Sequence, residues 1–377
     1  MMYLDNAATA PVRREVLEAM WPYVTADFGN PSSHHEVGEA AARGLADARE
    51  TIAAALDCRA AEIVFTSGGT EANNLAVKGI ALAAPRGRHI VTTAIEHEAV
   101  LASCDYLRRH HGFEIALVPL GDGGLVDPHA LAAALRPDTT LVSIMHANNE
   151  IGTVQPIRAL AEIARAAGVP MHTDAVQSAP WLRVGLRSLG VDALSVSGHK
   201  LGAPKGIGLL AVRGSVPIEP LLHGGGQERG RRSGTENVAG AVGLAEAIRL
   251  RSGARSGDSV RRSRDSIIRG VLGAVPGAFL TGHRDARLPA HASFCFPGTS
   301  GEAVLLELER RGIVSSSGSA CAAGSDDASH VLVALGIDED TARTAVRFTL
   351  DSRVDEADAA RVVSAVADAV AAVGSLR

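Results

Sequence analysis

Between residues 62 and 212 short apolar runs alternate with helical patterns, and no other feature constrains the fold of this chain more. The runs 63–65, 89–92, 115–118, 141–144, 169–172, 193–196 and 208–212 read as strands. Helical patterns over 71–84, 97–111, 128–135 and 156–167 fall between them. Continuous apolar strands separated by helices predict an α/β fold with a seven-stranded, mostly parallel sheet covered on both faces. Ligands in such sheets bind at the carboxyl ends of the strands. Residues just past each strand are therefore the first candidates for chemistry. Two more helical stretches, 239–251 and 259–275, flank a Gly/Ser/Arg break, and the chain ends in an Ala/Val-rich helix from about residue 356. The expected division is a large domain over 14–252 and a smaller α+β domain made of 1–13 with 253–377.

Composition narrows the class. At 377 residues the chain exceeds what one hydrophobic core usually holds, in keeping with two domains. Hydrophobic residues make up 46% and charged residues 21%, which fits a folded globular chain. Aromatics reach only 3%, so the core is aliphatic and base-stacking platforms for nucleic acid are not expected. A net charge of −5 gives no field favouring DNA or an anionic membrane. No window approaches the roughly 18 apolar residues of a membrane span. Met1 to Ala10 lacks the basic-then-apolar pattern of a secretory leader. Cys58, Cys104, Cys295 and Cys321 are far apart and form no CxxC pair, as in a reducing compartment. The expected location is cytoplasmic. No metal site is expected, because the doublets His34-His35 and His110-His111 point their rings apart on a helix. One local run stands out: Arg249 to Arg264 holds six arginines, either a solvated face or a docking patch for an acidic partner.

Asp174 follows the 169–172 strand. Lys200 follows the 193–196 strand in Ser195-Val196-Ser197-Gly198-His199-Lys200. A lysine that can form a Schiff base and an aspartate that can pair with a pyridinium nitrogen are what a pyridoxal phosphate enzyme must supply. Alone, the aspartate reads as a turn former and the lysine as a surface residue. Together, after successive strands, they point to the cofactor. Ser197 and His199 offer phosphate donors. Thr66-Ser67-Gly68-Gly69-Thr70-Glu71 follows a strand and opens a helix. Its glycines and first-turn amides suit an anion, and Ser67 or Thr70 equally suits a helix cap. Gly206-Ile207-Gly208-Leu209-Leu210-Ala211 matches G-x-G-x-x-A, yet it runs into a strand rather than a helix, so the dinucleotide reading fails.

His97 opens a helix after a strand, where it can stack on a cofactor ring or move protons as well as cap. Cys321 lies in Ser315-Ser316-Ser317-Gly318-Ser319-Ala320-Cys321-Ala322-Ala323-Gly324-Ser325. Small polar neighbours bury a thiol poorly, and an accessible thiol on a flexible arm suits a nucleophile. The other three cysteines sit in apolar or helical contexts and read as structural.

These residues resemble the cysteine desulfurases of the fold-type I pyridoxal phosphate enzymes, in the class V aminotransferase group. The likeness covers nearly the whole chain: Tyr3 to Ala8, Gly29 to Ser33, Thr66 to Asn74, Glu96-His97, His146 to Gly152, His172 to Gln177, Ser195 to Lys200, Gly224 to Asn237, Ser316 to Cys321 and Val346 to Phe348. The resemblance implies that Lys200 holds the cofactor aldehyde, Asp174 pairs with the ring nitrogen and Gln177 bonds the phenolic oxygen. It implies that His97 stacks on the ring, and that Gly69, Thr70, Ser197 and His199 hold the phosphate. Thr235 would reach the phosphate of a neighbouring subunit in a homodimer. Asn149 and Arg347 would hold the substrate carboxylate, and Cys321 would take sulfur from L-cysteine as a persulfide, leave L-alanine and pass the sulfur to an acceptor protein. Such acceptors serve iron–sulfur cluster assembly or thiolation. Three departures from the family pattern are Ala10, where threonine is common, Asp351, where glycine is usual, and Asp326-Asp327-Ala328, where proline is usual. The alternatives are a related C–S or C–Se lyase, such as a selenocysteine lyase, and a sulfur-relay or scaffold protein.

Overall fold

Every residue of six of the seven expected strands is buried, which explains why they read as unbroken apolar runs rather than alternating ones. The structure is a computed structural model that describes residues 1–83, 85–252, 257–318 and 328–375. Cys321 and the Asp326-Asp327 departure therefore lie outside the described residues, as does Ala84, the expected end of one helix.

After a short β1 (Met2–Tyr3), the main sheet is built from β2 (Ile63–Thr66), β3 (His89–Thr92), β4 (Glu114–Leu117), β5 (Thr139–Ser143), β6 (Met171–Asp174), β7 (Ala193–Ser197) and β8 (Gly208–Val212). Their order is β2-β8-β7-β6-β5-β3-β4. β8 runs antiparallel to both β2 and β7, and every other pair is parallel. β2 and β4 are the edge strands, and of the seven β4 alone carries an exposed charged residue, Glu114. β6 runs two residues further than its apolar pattern, so Asp174 is its last residue rather than a residue beyond it. The extra pairing comes from Asp174 facing Ser195 on β7 and from the His146 amide, which donates to the Asp174 carbonyl at 2.9 Å. Beneath Asp174, His172 is hydrogen-bonded to Ser143 and Ser195, at 2.9 Å each, across three neighbouring strands. Burial pushes its pKa down to about 3, so the ring is neutral.

The glycine-rich decoy feeds β8, as its context required. Gly208 pairs with Thr66, and a Cβ there would meet Gly68 backbone carbon at 2.6 Å. Glycine is thus needed where β2 turns into the Gly68-Gly69 loop.

Four buried apolar clusters fill the described residues, and two of them are the largest. One runs from Val16 to Ile248 on the face of the sheet covered by helices Arg14–Thr25, Glu36–Ala55 and Val238–Ser252. The other joins Leu4 to residues between Val260 and Val373, with Phe294, Phe296 and Phe348 at its centre. It surrounds a three-stranded sheet of β9 (Phe279–Leu280), β10 (His291–Cys295) and β12 (Ala345–Thr349), ordered β12-β10-β9. β11 (Ile313–Val314) pairs in parallel with β1. The amino terminus is therefore anchored in the second core and then crosses to the main sheet. That crossing carries Asp5, Ala7 and Ala8 toward the ends of β6 and β7.

Candidate active site

The loops after β2, β5, β6 and β7 surround a cavity of about 330 Å³. Gly69, Thr70, His97, Asn149, Asp174, Gln177, Ser197, His199, Lys200 and Arg347 all line it. Residues up to 278 positions apart in sequence, from Gly69 to Arg347, thus meet at the carboxyl end of the sheet. Thr235 does not line this cavity: it is exposed, in the segment after Glu228–Gly230. Cys321 is outside the described residues.

Asp174 is buried, and its carboxylate accepts two hydrogen bonds. Asn73 Nδ2 donates to Oδ2 at 2.6 Å, and the Val176 amide donates to Oδ1 at 2.9 Å. Asn73 is a partner that the sequence reading missed. It sits one turn beyond Gly69-Thr70 on the same helix, a spacing that could have singled it out. Its own Oδ1 is buried without a hydrogen-bond partner among the described residues.

The helix that follows the Gly68-Gly69 loop has Gly68 as its first cap residue, and no side chain caps it. Neither Ser67 nor Thr70 acts as the cap that the sequence allowed. The Ser67 amide donates instead to Glu71 Oε2 at 2.7 Å, and Glu71 is paired with Arg232. The helix continues through a π-helical stretch, Leu75–Gly79, a distortion found often at functional sites. Gly69 admits no side chain: a Cβ would meet Val176 Cγ2 at 2.8 Å and Ser197 Cβ at 3.2 Å.

His97 caps helix Glu98–His111, its Nδ1 accepting from the Ala99 amide at 3.0 Å. In the neutral ring that bond leaves the proton on Nε2. Glu96 beside it is completely buried. Its carboxyl accepts from the Thr93 hydroxyl at 2.7 Å and from the Met145 amide at 3.0 Å. Burial pushes its pKa up to about 8. His199 is neutral too, since burial and the charges of Lys200 and Lys205 push it down to about 4.

Lys200 Nζ donates to the Ala8 carbonyl at 2.6 Å and also to the Ala7 carbonyl. Gln177 Nε2 donates to the same Ala7 carbonyl at 3.0 Å. In the structure the amino-terminal crossing thus occupies two groups that were expected to face a cofactor. Arg347 is 3% exposed in its side chain and forms an ion pair with Asp5 at 2.7 Å. It also donates to the Asn149 carbonyl at 2.9 Å, while its Nε has no partner among the described residues. Asp5 lies in the quoted Tyr3 to Ala8 motif, but nothing in the sequence alone ties it to Arg347. Asn148 shapes the adjoining loop by accepting from the amides of Glu150 and Ile151, at 2.8 and 2.9 Å.

Cys58, Cys104 and Cys295 fit their structural reading, since burial pushes each thiol up to about 12. Among the described residues, no helix is long and apolar enough to cross a membrane.

Residues 2–362 match the family model described as aminotransferase class-V. A protein of Dictyoglomus turgidum named cysteine desulfurase IscS is 47% identical over 93% of this chain and 89% of its own length. A solved NifS-like protein superposes with a TM-score of 0.90 at 36% identity, covering 97% of this chain and 98% of that one. A structure described as SspA in complex with cysteine superposes with a TM-score of 0.80 at 37% identity, covering 93% of this chain and 99% of that one. The chain belongs to the class-V aminotransferase family, in the group whose members are named cysteine desulfurases.

Proposed function

We propose that the protein is a pyridoxal phosphate-dependent cysteine desulfurase that converts L-cysteine to L-alanine and carries the sulfur on Cys321. The observation that supports this most is the meeting of Lys200, Asp174, His97 and Arg347 in one cavity. The residues fit the cofactor. The cavity offers an acid at a strand end, a lysine on the same lining and a helix start that no side chain caps. Gly69, Thr70, Ser197 and His199 would hold the phosphate, with Thr235 contributed across a homodimer. When bound, the cofactor acts as an electron sink for charge developing at the substrate Cα.

The chain's own groups do the rest. Asp174 would hold a proton on the ring nitrogen, and Gln177 would turn from Ala7 to the phenolic oxygen. Arg347 and Asn149 bind the substrate carboxylate, with the guanidinium exchanging Asp5 for it. Lys200 Nζ takes the proton from Cα. The Cys321 thiolate then attacks the substrate sulfur. The Cα side of the substrate keeps the electrons of the broken C–S bond, an S–S bond forms, and protonation gives alanine. Thiol pKa values pushed up to about 12 speak against Cys58, Cys104 and Cys295 as the nucleophile and so support Cys321 in that role. Sulfur then passes to an acceptor protein serving iron–sulfur assembly or thiolation.

Incubating holoenzyme with labelled L-cysteine tests this reading. Cys321→Ala should keep the visible cofactor band and lose protein-bound persulfide. Sulfide release at the wild-type rate from that variant would overturn the role of Cys321.

A further inference from the structure

The arginine-rich run from Arg249 to Arg264 plays no part in the proposed chemistry. The structure disperses it. Arg249 pairs with Glu246 on its own helix, and Arg264 is buried against Asp265 and the Leu288 carbonyl. Arg251 differs. From the last turn of helix Val238–Ser252 its guanidinium carbon sits over the Trp181 ring, 4.1 Å from the centroid, in a second cavity of about 530 Å³. This cleft shares Ala7, Gln177 and Lys200 with the candidate active site and is otherwise lined by different residues.

The charges around the cleft are unbalanced. Arg13 and Arg251 line it, both half-buried, and neither forms an ion pair among the described residues. Asp351 also lines it, but its carboxylate is already taken by Arg353, with Nε at 2.9 Å and the amide at 2.7 Å. The remaining acid, Glu15, is solvent-exposed at the rim. Burial, and then the charge of Arg13, push Arg251 down to about 10, so the two cations lie close enough to oppose each other. The contact with the Trp181 ring holds one guanidinium in the cleft before anything binds. Planar donors of this kind match carboxylate and phosphate oxygens. The cleft is concave and its cations are recessed, which favours a small ligand over a protein surface.

We propose that this cleft binds a small polyvalent oxyanion, a tricarboxylate or a phosphate, between the guanidiniums of Arg13 and Arg251. The site is distinct from the cofactor phosphate cradle and does not depend on the desulfurase reading. Asp351, which departs from the family pattern, keeps Arg353 in place at the edge of the cleft.

The test uses holoenzyme saturated with pyridoxal phosphate, so that added anions do not report on the cofactor cradle. The chain holds two tryptophans. A Trp21→Phe background therefore leaves Trp181 as the only indole. Citrate and, separately, inorganic phosphate are titrated by Trp181 fluorescence and by calorimetry. Saturable binding is expected for at least one, weakened by increasing NaCl and about tenfold or more by either Arg13→Gln or Arg251→Gln. If Arg251→Gln fails to fold, Arg13→Gln carries the test, because that side chain is bound to no other element by an ion pair. Absence of saturable binding by both anions, or equal affinity in the variants, overturns the proposal. Either result leaves desulfurase turnover to be judged by its own assay.

Discussion

Replacing Asn73 by leucine removes a single hydrogen bond, and its effect can be worked through. Asn73 Nδ2 lies 2.6 Å from Asp174 Oδ2, and the Val176 amide is the other donor to that carboxylate. The carboxylate is 5% exposed, so water cannot readily replace the lost donor. Hydrogen bonds to charged groups contribute about 1.5–3 kcal/mol, and leucine keeps the branched outline of asparagine without its polar atoms. If most of that bond serves to aim Asp174 at the ring nitrogen, the loss falls on the rate, where about 1.4 kcal/mol is tenfold. We therefore expect Asn73→Leu to lower kcat by about 10- to 100-fold. Cofactor content should stay near wild type, because the phosphate contacts are untouched. Single-turnover alanine formation, with the visible band recorded in parallel, measures both. Asp174→Asn is the reference for complete loss of the acid. If Asp174→Asn abolishes turnover while Asn73→Leu stays within twofold of wild type, the orienting bond has no catalytic role and the reasoning fails.

Three further outcomes follow from buried charge. Glu96 titrates near 8 when folded and near 4.5 when unfolded, so its contribution is full below about pH 4.5 and is lost as pH rises toward 8. His146, His172 and His199 have folded values of about 4, 3 and 4, and they act in the opposite sense, but only below about 6.5. Between pH 6.5 and 8 the Glu96 effect is isolated, and Glu96→Gln should flatten the fall in unfolding free energy there; an unchanged slope would remove Glu96 as its source. Glu228 is 1% exposed in its side chain, is paired with Arg49 at 2.6 Å and accepts from the Phe65 amide at 3.1 Å. Glu228→Leu strands that arginine, and a loss of about 3–5 kcal/mol is expected in denaturant unfolding, with a change under 1 kcal/mol counting against the pair. In native protein at pH 7, iodoacetamide should leave Cys58, Cys104 and Cys295 unmodified, and mass mapping of rapid alkylation at any of them would contradict their raised thiol pKa.

The alternating pattern between residues 62 and 212 was enough to place all seven strands of the main sheet, because burial on both faces makes six of them continuous apolar runs and the edge strand β4 still follows in the same alternation. It gave no expectation for helices Arg14–Thr25 and Glu36–Ala55. The first exposes Leu17, Trp21 and Val24, and the second buries alanine and glycine as much as leucine, so neither shows a strong apolar stripe. Lys200, Asp174 and their neighbours were legible because each sits at the carboxyl end of a strand. The contacts that hold them were not. Arg347 with Asp5, Lys200 with the Ala7 and Ala8 carbonyls, and Gln177 with Ala7 all depend on the amino terminus pairing with β11 before it crosses to the main sheet. No local pattern encodes a contact between residues 5 and 347.

The covalent partner of the cofactor tests the central claim most directly. The sequence holds only three lysines, Lys78, Lys200 and Lys205. Lys78 lies over the Tyr106 ring at 4.8 Å, and Lys205 is exposed. Borohydride reduction of the purified holoenzyme, followed by peptide mass mapping, should place the pyridoxyl group on Lys200 alone. A pyridoxyl group on Lys78 or Lys205, or a protein that takes up no cofactor, would contradict the account.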